Sequence, residues 1–524
     1  MKKKKTKLLA AMVAVMILAG IMAGCGKADS ESSSETQNSA ASVESNQNAA
    51  AKGLKEVTLR FYFGGEKKSA VDEVWGKVSE KYKNELNAKF EINFIPFNDY
   101  TDKLTVMSAS GDNYDMNFDG NWLSYAKMIN KGAYLPINDL LPQYAPKLYE
   151  ELNKSGVLAA ATVGGKIMCI PWSMKMNQQH QFLVWRSDLL KQAGLSYEKD
   201  SIKTIDDMDK FLHDCKKAFP DMKIFGWDAG NSGPALSILM NRDGLYSIDY
   251  HSFVFDINDP KCRMTAVEQT NTYKEAAGYV RKWMDDGIIP KNLMVDKEQS
   301  STAYRNGKYV ATVTTHEWAN CTVPFADKSW IQESSNLYPD KKIPNRSALA
   351  NVMALNKNAA NPERSLMFLE LMGLDKELYD LVIYGIKDKT YVLDGEKAGI
   401  PEGMNPQTTN YLDWQGQWAL WKPQFMSPTD LYPSGFWQEE AEFASTPSCI
   451  PNVLDGLFID SEAIKNEIAK RDQVESELGK ILQYGMSKDT DKSLEEYIQK
   501  QKDVGLDKML AEIQKQVDKF LANK

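Results

Sequence analysis

The chain has 524 residues and carries 63 Lys and Arg against 71 Asp and Glu, for a net charge of −8 at pH 7. An acidic chain argues against a nucleic-acid partner, because displacing counterions from a phosphate backbone requires clustered basic side chains. It also argues against electrostatic attachment to anionic lipid.

Residues 1–24 have the layout of a bacterial export signal. Residues 1–7 carry five lysines and no acid, and residues 8–22 are almost wholly apolar. This run is too short to span a bilayer comfortably, so we predict a signal peptide. Residues 22–25, Met-Ala-Gly-Cys, resemble a lipobox, which implies a palmitate-type lipid on Cys25 and a location at the extracytoplasmic face of the cell membrane. The alternative is a plain secretory signal with a chance cysteine.

Residues 25–52 are predicted to form a disordered tether. They are mostly Ser, Ala, Asn, Gln and Glu, without an aromatic residue, and such a segment buries too little apolar surface to offset its ordering entropy. Removing the signal also removes five lysines, so the mature charge becomes −13. The 472 residues beyond residue 52 are enough for two or three domains.

Strands and helices alternate in the first part of the body, which predicts a mainly parallel sheet with helices on both faces. The strands are rich in β-branched and aromatic residues, and the helices show apolar residues at helical spacing. Strands are expected at 57–63, 90–95 and 114–118, and helices at 69–86, 99–110 and 122–130.

A second α/β rhythm begins after residue 171. Strands are expected at 181–185, 223–227 and 309–314, and helices at 187–193, 205–218 and 265–286. Thr204 is a suitable N-cap for the second of these helices. We expect the 309–314 strand to carry the chain back to the first lobe. Residues 454–524 are helix-rich and charged, and should pack on the body.

Five cysteines follow Cys25 without a Cys-x-x-Cys pair, so neither a redox nor a zinc motif is expected. One disulfide is possible in an exported protein, but free, mostly buried thiols are the default. These residues are Cys169, Cys215, Cys262, Cys321 and Cys449.

The chain shows no complete enzyme or metal motif. Residues 115–120 imitate the start of a calcium-binding loop, but Ala126 stands where a bidentate Glu is needed. His316-Glu317 lacks the second histidine of a zinc protease. No nucleophile elbow and no phosphate-binding loop is present. We therefore expect no cofactor, no metal and no catalytic activity.

Several segments share the order and spacing of the motifs of one protein family. Residues 165–171, 185–195 and 305–311 are similar to the motifs G-K-x-Y-A-L-P, Y-x-x-D-L-F-x-x-A-G-L and F-x-x-G-K-x-A-M. Residues 132–137 are similar to a preceding G-x-L-x-P-L turn. On these motifs the chain resembles an extracellular solute-binding lipoprotein of an ABC importer, of the sugar-type family 1. It is most similar to a long lipoprotein subset with an extra C-terminal segment.

The resemblance implies a type II periplasmic-binding-protein fold, α/β in class. Two lobes joined by crossing strands close around a solute and present it to an ABC permease. Lobe 1 is expected at 53–170 and about 315–375, and lobe 2 at about 171–314 and 376–453. The helical segment 454–524 packs on the body, and the protein is expected to be a monomer.

Sugars present hydroxyls and apolar C–H faces, so their binders need carboxylates, amides and aromatic rings. Such residues stand at predicted strand ends, where ligands bind in open α/β sheets. The expected ligand-binding residues are Glu66, Asn98, Asp119, Asn121, Trp122, Trp172, Asn177, Trp227, Glu317 and Trp318. The cleft is favoured over core packing for Asp119, Trp122, Glu317 and Trp318, whereas for Glu66, Asn98, Asn177, Trp172 and Trp227 the two are evenly weighed. The later cluster of residues 413–418 and Trp421, which includes Trp414 and Trp418, either lines the cleft or holds the C-terminal segment, with the second role slightly favoured.

The sequence thus predicts a membrane-tethered binding protein that captures a carbohydrate, with an oligosaccharide favoured, and delivers it to a permease. One alternative is a surface glycoside hydrolase, which would need two carboxylates facing each other across the cleft. Another is the same binding fold with a peptide or other solute.

Overall fold

A computed structural model describes residues 53–227, 233–248, 252–296, 298, 300–405 and 408–523, apart from the side chain of Asn98. The predicted signal peptide, the tether and Cys25 lie outside the described residues. Within the described part of the chain, no helix has both the length and the apolar character needed to cross a membrane.

The described strands are distributed along the chain from residue 57 to residue 450. They are β1 (Val57–Gly64), β2 (Ala88–Ile95), β3 (Met116–Asp119), β4 (Thr162–Val163), β5 (Lys166–Ile167), β6 (Phe182–Arg186), β7 (Lys223–Phe225), β8 (Leu245–Ser247), β9 (Phe253–Asp256), β10 (Thr265–Ala266), β11 (Tyr309–Thr314), β12 (Gln332–Asn336), β13 (Ile343–Pro344), β14 (Val352–Leu355), β15 (Val392–Asp394), β16 (Lys397–Gly399) and β17 (Cys449–Ile450).

The described α-helices range from 4 to 17 residues in length. They are α1 (Val71–Lys81), α2 (Lys83–Leu86), α3 (Phe97–Ser110), α4 (Tyr125–Asn130), α5 (Leu140–Tyr144), α6 (Pro146–Lys154), α7 (Ser187–Gln192), α8 (Ile205–Ala218), α9 (Pro234–Asp243), α10 (Asn271–Asp285), α11 (Ser300–Arg305), α12 (His316–Asn320), α13 (Pro362–Leu374), α14 (Lys376–Ile383), α15 (Phe436–Phe443), α16 (Lys465–Val474), α17 (Lys480–Gln483), α18 (Thr490–Asp503) and α19 (Leu506–Ala522).

Lobe 1 is built on a sheet of order β14-β3-β1-β2, in which β1 runs parallel to β2 and β3 while β14 runs antiparallel to β3. Leu59, Phe61 and Phe63 alternate along β1 and are fully buried, as the two-residue period of a strand requires. Trp75 of α1 and Phe368 of α13 pack over Phe61, with ring centroids 6.4 and 5.6 Å away.

Lobe 2 is built on a sheet of order β12-β6-β11-β7. All five residues of β6 are buried, with Leu183 and Trp185 in one core cluster and Phe182 and Val184 in another. A strand covered on both faces is apolar throughout rather than alternating. The predicted crossing at 309–314 is wrong, because β11 lies between β6 and β7 inside lobe 2. The chain returns to lobe 1 later, between residues 337 and 349.

The predicted lobe boundaries need two further corrections. β12 lies within the region assigned to lobe 1, but it pairs with β6 of lobe 2. Residues 376–453 are predicted to lie in lobe 2, yet Tyr379, Tyr411 and Trp414 are buried in the lobe 1 core. The amphipathic α14 predicts that one face is buried, but its sequence does not indicate which lobe it packs against.

Two predicted helices also differ in their bounds. The helix over 69–86 is interrupted at Tyr82, between α1 and α2. The helix over 265–286 begins later, at Asn271, because the side chain of Thr270 accepts the backbone N–H of Tyr273 and caps it there. By contrast, Thr204 caps α8 as predicted, in a reciprocal pair with Asp207. The five cysteines after Cys25 are free and buried, which confirms the default expectation.

The C-terminal helices pack on lobe 2. Ile513 and Val517 of α19 lie in one core cluster with Phe253 and Phe255 of the β10-β9-β8 sheet. Tyr497 of α18 lies in the lobe 2 core. The helical segment therefore extends the core of lobe 2.

A buried ion pair joins α16 to the residue stretch before α10. The guanidinium of Arg471 lies 2.6 and 3.0 Å from the carboxylate oxygens of Glu268, and both side chains are almost fully buried. Two charges removed from water in this way depend on each other, because either one alone would be uncompensated.

Arg471→Met should therefore destabilise the protein by about 3–5 kcal/mol, since Glu268 would remain buried without its partner. Urea denaturation measures this change. The double variant Arg471→Met/Glu268→Gln removes the stranded charge and should recover part of the loss. A single variant as stable as the parent would show that this ion pair contributes little to the stability of the fold.

Candidate ligand-binding cleft

A cavity of about 1700 Å³ lies between the two lobes. Lobe 1 contributes the residues after β1, the β15–β16 hairpin and the loops around 409–434. Lobe 2 contributes β6, β11, α11, α12 and the loop 322–332. The carboxyl end of β1 therefore opens into the cleft, which is the usual ligand position in such sheets.

The loop 411–418 carries polar side chains of the lobe 1 wall and is anchored on the end of β1. Trp414 is buried, its Nε1 donates to the carbonyl of Val382 at 3.2 Å, and its ring centroid lies 4.9 Å from that of Phe63. Gly416 has a φ of 83° and approaches so closely that a Cβ would lie 3.1 Å from the backbone nitrogen of Gly64. The anchored loop presents Asp413, Gln415 and Gln417 beside Glu66 in the cleft lining.

Asp413 is half-buried and has a φ of 58°, a left-handed conformation that Asp tolerates better than most residues. Burial raises the pKa of its carboxyl to about 6, with the Asp430 carboxylate adding to this and the Lys68 ammonium opposing it. Its carboxylate accepts no hydrogen bond from the described residues. A partly buried carboxylate without a hydrogen-bond donor is stabilised by a ligand that donates hydrogen bonds to it.

Aromatic rings form a second part of the lobe 1 wall. Trp418 stacks on Phe97, with centroids 5.8 Å apart and planes 8° apart. Trp421 packs against Trp437 at 4.9 Å. Both Trp418 and Trp421 line the cavity. Of the two roles considered for these tryptophans, Trp418 and Trp421 have the first, lining the cleft, whereas Trp414 anchors the loop on β1.

The lobe 2 wall presents Trp330 and Trp318. The guanidinium of Arg186 lies 3.6 Å from the Trp330 ring centroid, and Asp188 fixes this guanidinium through two hydrogen bonds of 2.8 and 2.6 Å. On Gly307 a Cβ would overlap the Trp330 ring. The indole is thus held rigidly at the cleft, as a stacking surface requires.

Arg305 is a partly buried cation in this wall. Its guanidinium lies 5.6 Å from the Trp318 ring centroid, and its nitrogens donate to the Ser301 carbonyl and the Thr302 hydroxyl at 3.2 Å. Burial lowers the pKa of Arg305. The wall combines a flat apolar face with a charged donor beside it.

A family model described as bacterial extracellular solute-binding protein matches residues 77–384, more than half of the chain. The chain belongs to this family. A second model, described as a domain of unknown function (DUF3502), matches residues 453–522, the region of the C-terminal helices.

Known relatives of this solute-binding protein extend over nearly its whole length. Across 98% of the chain and 98% of the relative, it is 24% identical to a carbohydrate ABC transporter substrate-binding protein of Streptococcus pneumoniae. The crystal structure of the N-glycan transport solute binding protein NgtS from the same organism superposes with a TM-score of 0.72 at 19% identity, covering 90% of this chain and 100% of that one. The S. pneumoniae ABC-transporter substrate-binding protein FusA, in complex with kestose, gives 0.63 at 18% identity, covering 89% and 100%. The predicted type II periplasmic-binding-protein fold is confirmed.

Two of the predicted ligand-binding residues of this solute-binding protein line the cavity, namely Glu66 and Trp318. Glu317 is buried directly behind the wall. Its carboxylate accepts the hydroxyl of Tyr432 at 2.7 Å and the side-chain amide of Gln178 at 2.5 Å, and burial raises its pKa. Because Tyr432 lines the cavity, Glu317 positions a cleft residue.

The three predicted residues after β3 lie outside the cavity lining. Asp119 is fully buried and accepts the backbone N–H of Gly120 at 2.8 Å, that of Ser124 at 2.9 Å, and the hydroxyl of Tyr134. Burial raises the pKa of Asp119 to about 6, although these hydrogen bonds oppose the shift. Its carboxylate ties β3 to the turn before α4.

The neighbours of Asp119 occupy two different places. Trp122 is 46% exposed, donates to the carbonyl of Ala350 at 2.6 Å and lies 5.8 Å from Phe97. It therefore supports the ring on which Trp418 stacks. Asn121 lines a separate small pocket of about 80 Å³.

Three of the remaining predicted residues are buried elsewhere. Trp172 backs Trp421, with centroids 6.3 Å apart, and Trp227 stacks on Tyr484 of the C-terminal helices at 5.7 Å. Asn177 is fully buried in the first crossing segment, residues 172–181. The side chain of Asn98 lies outside the described residues.

The sequence did not point to Trp330 or Arg305, and it left open whether the polar residues of the 411–418 loop line the cleft. The Asp413–Trp418 cluster of acid, amide and aromatic residues is visible in the sequence, but nothing in it indicates that the loop folds back onto β1. Trp330 stands beyond the end of any predicted strand, so the strand-end criterion does not select it.

Asp119→Ala should destabilise the protein by about 2–4 kcal/mol, because it leaves buried donors without an acceptor. The folded variant should bind ligand as the parent does. Thermal unfolding and calorimetric titration separate the two effects. The matched variant Asp413→Ala should show the reverse pattern, and a stable Asp119→Ala protein that no longer binds would place Asp119 in the ligand site.

Proposed function

We propose that this solute-binding protein captures a carbohydrate, namely an oligosaccharide, and delivers it to an ABC permease. The observation that carries the proposal is the pairing of rigidly held indoles on opposite walls of one cleft, Trp418 on lobe 1 and Trp330 on lobe 2. Flat rings on both sides suit the apolar faces of sugar rings. Two pneumococcal relatives are named for the transport of fructooligosaccharide and of N-glycan. These names support the same class of ligand.

The size of the cleft favours more than one sugar ring. Its volume of about 1700 Å³ exceeds the roughly 300–1,000 Å³ of pockets that hold drug-sized molecules. A closing hinge would reduce this volume around a bound ligand, but the extended lining leaves contacts for several rings.

The charge of the cleft favours a neutral ligand. Six acidic and five basic side chains line it, so neither sign dominates. Some are already paired, since Lys67 lies 2.6 Å from Asp72 and Lys397 lies 2.5 Å from Asp430. Mixed acceptors and donors at close quarters are suited to hydroxyl groups, which act as both.

The lipid on Cys25 and the tether of residues 25–52 are part of the proposal. A tethered monomer at the outer face of the membrane remains within reach of its permease, so its effective concentration there stays high. Labelling with a radioactive fatty acid, compared between the parent and Cys25→Ser, tests the anchor.

A hydrolytic function is the second candidate, and one observation favours it. Asp413 and Asp430 both line the cleft, and their pKa values are shifted in opposite directions, since Lys397 lowers that of Asp430. Divergent carboxyl pKa values are a feature of glycosidases. The Lys397 ion pair nevertheless occupies one carboxylate, so binding without hydrolysis is the favoured function.

Calorimetric screening against mono- and oligosaccharides, amino acids and peptides should find saturable binding of an intact oligosaccharide. Trp418→Ala and Trp330→Ala should each weaken it about tenfold, because each removes one stacking face. Trp418→Phe keeps a ring and should retain most of the affinity. Binding of peptides alone would refute the carbohydrate proposal, and breakdown of the sugar during incubation would refute the absence of catalysis.

Affinity should depend on pH through Asp413. Its pKa is raised to about 6, so the ionised acceptor is present above pH 6 and is lost as the pH falls through 6. Binding should therefore be about tenfold weaker at pH 5 than at pH 7. Asp413→Asn removes the titrating group and should bind with the same lower affinity at both pH values. An unchanged pH profile in that variant would exclude Asp413 as the source.

A further inference from the structure

The lobes make a second contact away from the cleft, through the segment that precedes the C-terminal helices. We call residues 452–460 the strap. On lobe 1, its residue Asp455 accepts the hydroxyl of Ser347 and, at 3.4 Å, the backbone N–H of Ala348. Gly456 has a φ of 83° and lies so close to lobe 1 that a Cβ would stand 2.6 Å from the Cα of Ala160.

The other end of the strap is fixed to lobe 2. The backbone N–H of Asp460 donates to Oε1 of Gln516 at 2.8 Å, and its carbonyl accepts from Nε2 of the same residue at 2.9 Å. Gln516 belongs to α19, which packs on the β10-β9-β8 sheet. The four residue-to-residue steps from Gly456 to Asp460 span at most about 14 Å. A larger separation of the two attachment points would break the contact.

The strap contact is distinct from the ligand-binding cleft. The small pocket of about 80 Å³ beside it is lined by Asn121 and Tyr125 of lobe 1, by Tyr246 and Phe255 of lobe 2, and by strap residues including Asp455. It shares no lining residue with the cleft. A rotation of the lobes that narrows the cleft alters distances here as well, so the contact has different free energies in the open and closed forms.

We propose that the C-terminal segment, through the strap, stabilises the open form of the protein and thereby lowers its affinity for ligand. The contact is present while the cleft has a volume of about 1700 Å³, and its two ends bond to Ser347 of lobe 1 and to Gln516 of α19. A ligand that binds the closed form must overcome whatever free energy holds the lobes open. This role depends on the two-lobe fold and not on the identity of the solute.

The test is an interlobe distance measurement on the ligand-free full chain, by pulsed electron paramagnetic resonance. Spin labels are attached at the exposed positions Val106→Cys on α3 and Lys191→Cys on α7; the cysteines of the described chain are buried. Gly456→Ala should push the strap off Ala160 and raise the ratio of closed to open molecules about fivefold, the effect of losing about one hydrogen bond.

Two further variants make the result decisive. Gly194→Ala serves as the control, because Gly194 also has a positive φ, 70°, but has open space around its Cβ position. It introduces the same backbone strain without a clash. The interlobe distances in this variant should match those of the parent. Asp455→Ala removes the hydrogen bonds without adding bulk and should shift the ratio in the same direction as Gly456→Ala. Unchanged or longer distances in folded Asp455→Ala would overturn the proposal, whatever the sugar screen shows.

Discussion

The relation between the lobes depends on one buried amide in the crossing region. The Nδ2 of Asn177 lies 3.3 Å from the carbonyls of Ile343 and Pro344, and 3.2 Å from the side-chain oxygen of Asn345. Its Oδ1 accepts the backbone N–H groups of Gln179 and His180 at 3.1 Å. A buried amide is tolerated only when its groups are satisfied, and here the segments that cross between the lobes satisfy them.

The same network extends to the third connection. Asn345 donates to the carbonyl of Ala444 at 3.0 Å, just beyond α15, and β13 pairs in parallel with β17. The three connections therefore move as one unit. Because their polar groups bond to each other, the lobes can rotate about them without exposing unsatisfied donors.

Much of the fold follows from local sequence patterns, whereas the site depends on contacts between distant residues. β1 and β11 are predicted almost to the residue, because β-branched and aromatic runs bounded by glycine leave few alternatives. The lobe membership of residues 376–436 is different. It is decided by Tyr379 and Trp414 packing in a core far away in sequence, and no periodicity shows which core that is. For the same reason Glu66 and Trp318, beside strand and helix ends, are found, while Trp330 is not.

Two polar residues that were predicted for the cleft but are buried, Asp119 and Asn177, share one property: their side chains bond to backbone groups. Asp119 binds the turn before α4, and Asn177 binds the crossing segments. A carboxylate or amide at a strand end can serve a ligand or the backbone, and composition does not distinguish the two. Glu317 contacts both the crossing region and the cleft lining. It holds Gln178, next to Asn177, and Tyr432, which lines the cleft. A ligand that contacts Tyr432 therefore acts on a group bonded to the crossing region, which gives the cleft a direct physical connection to the segment about which the lobes turn.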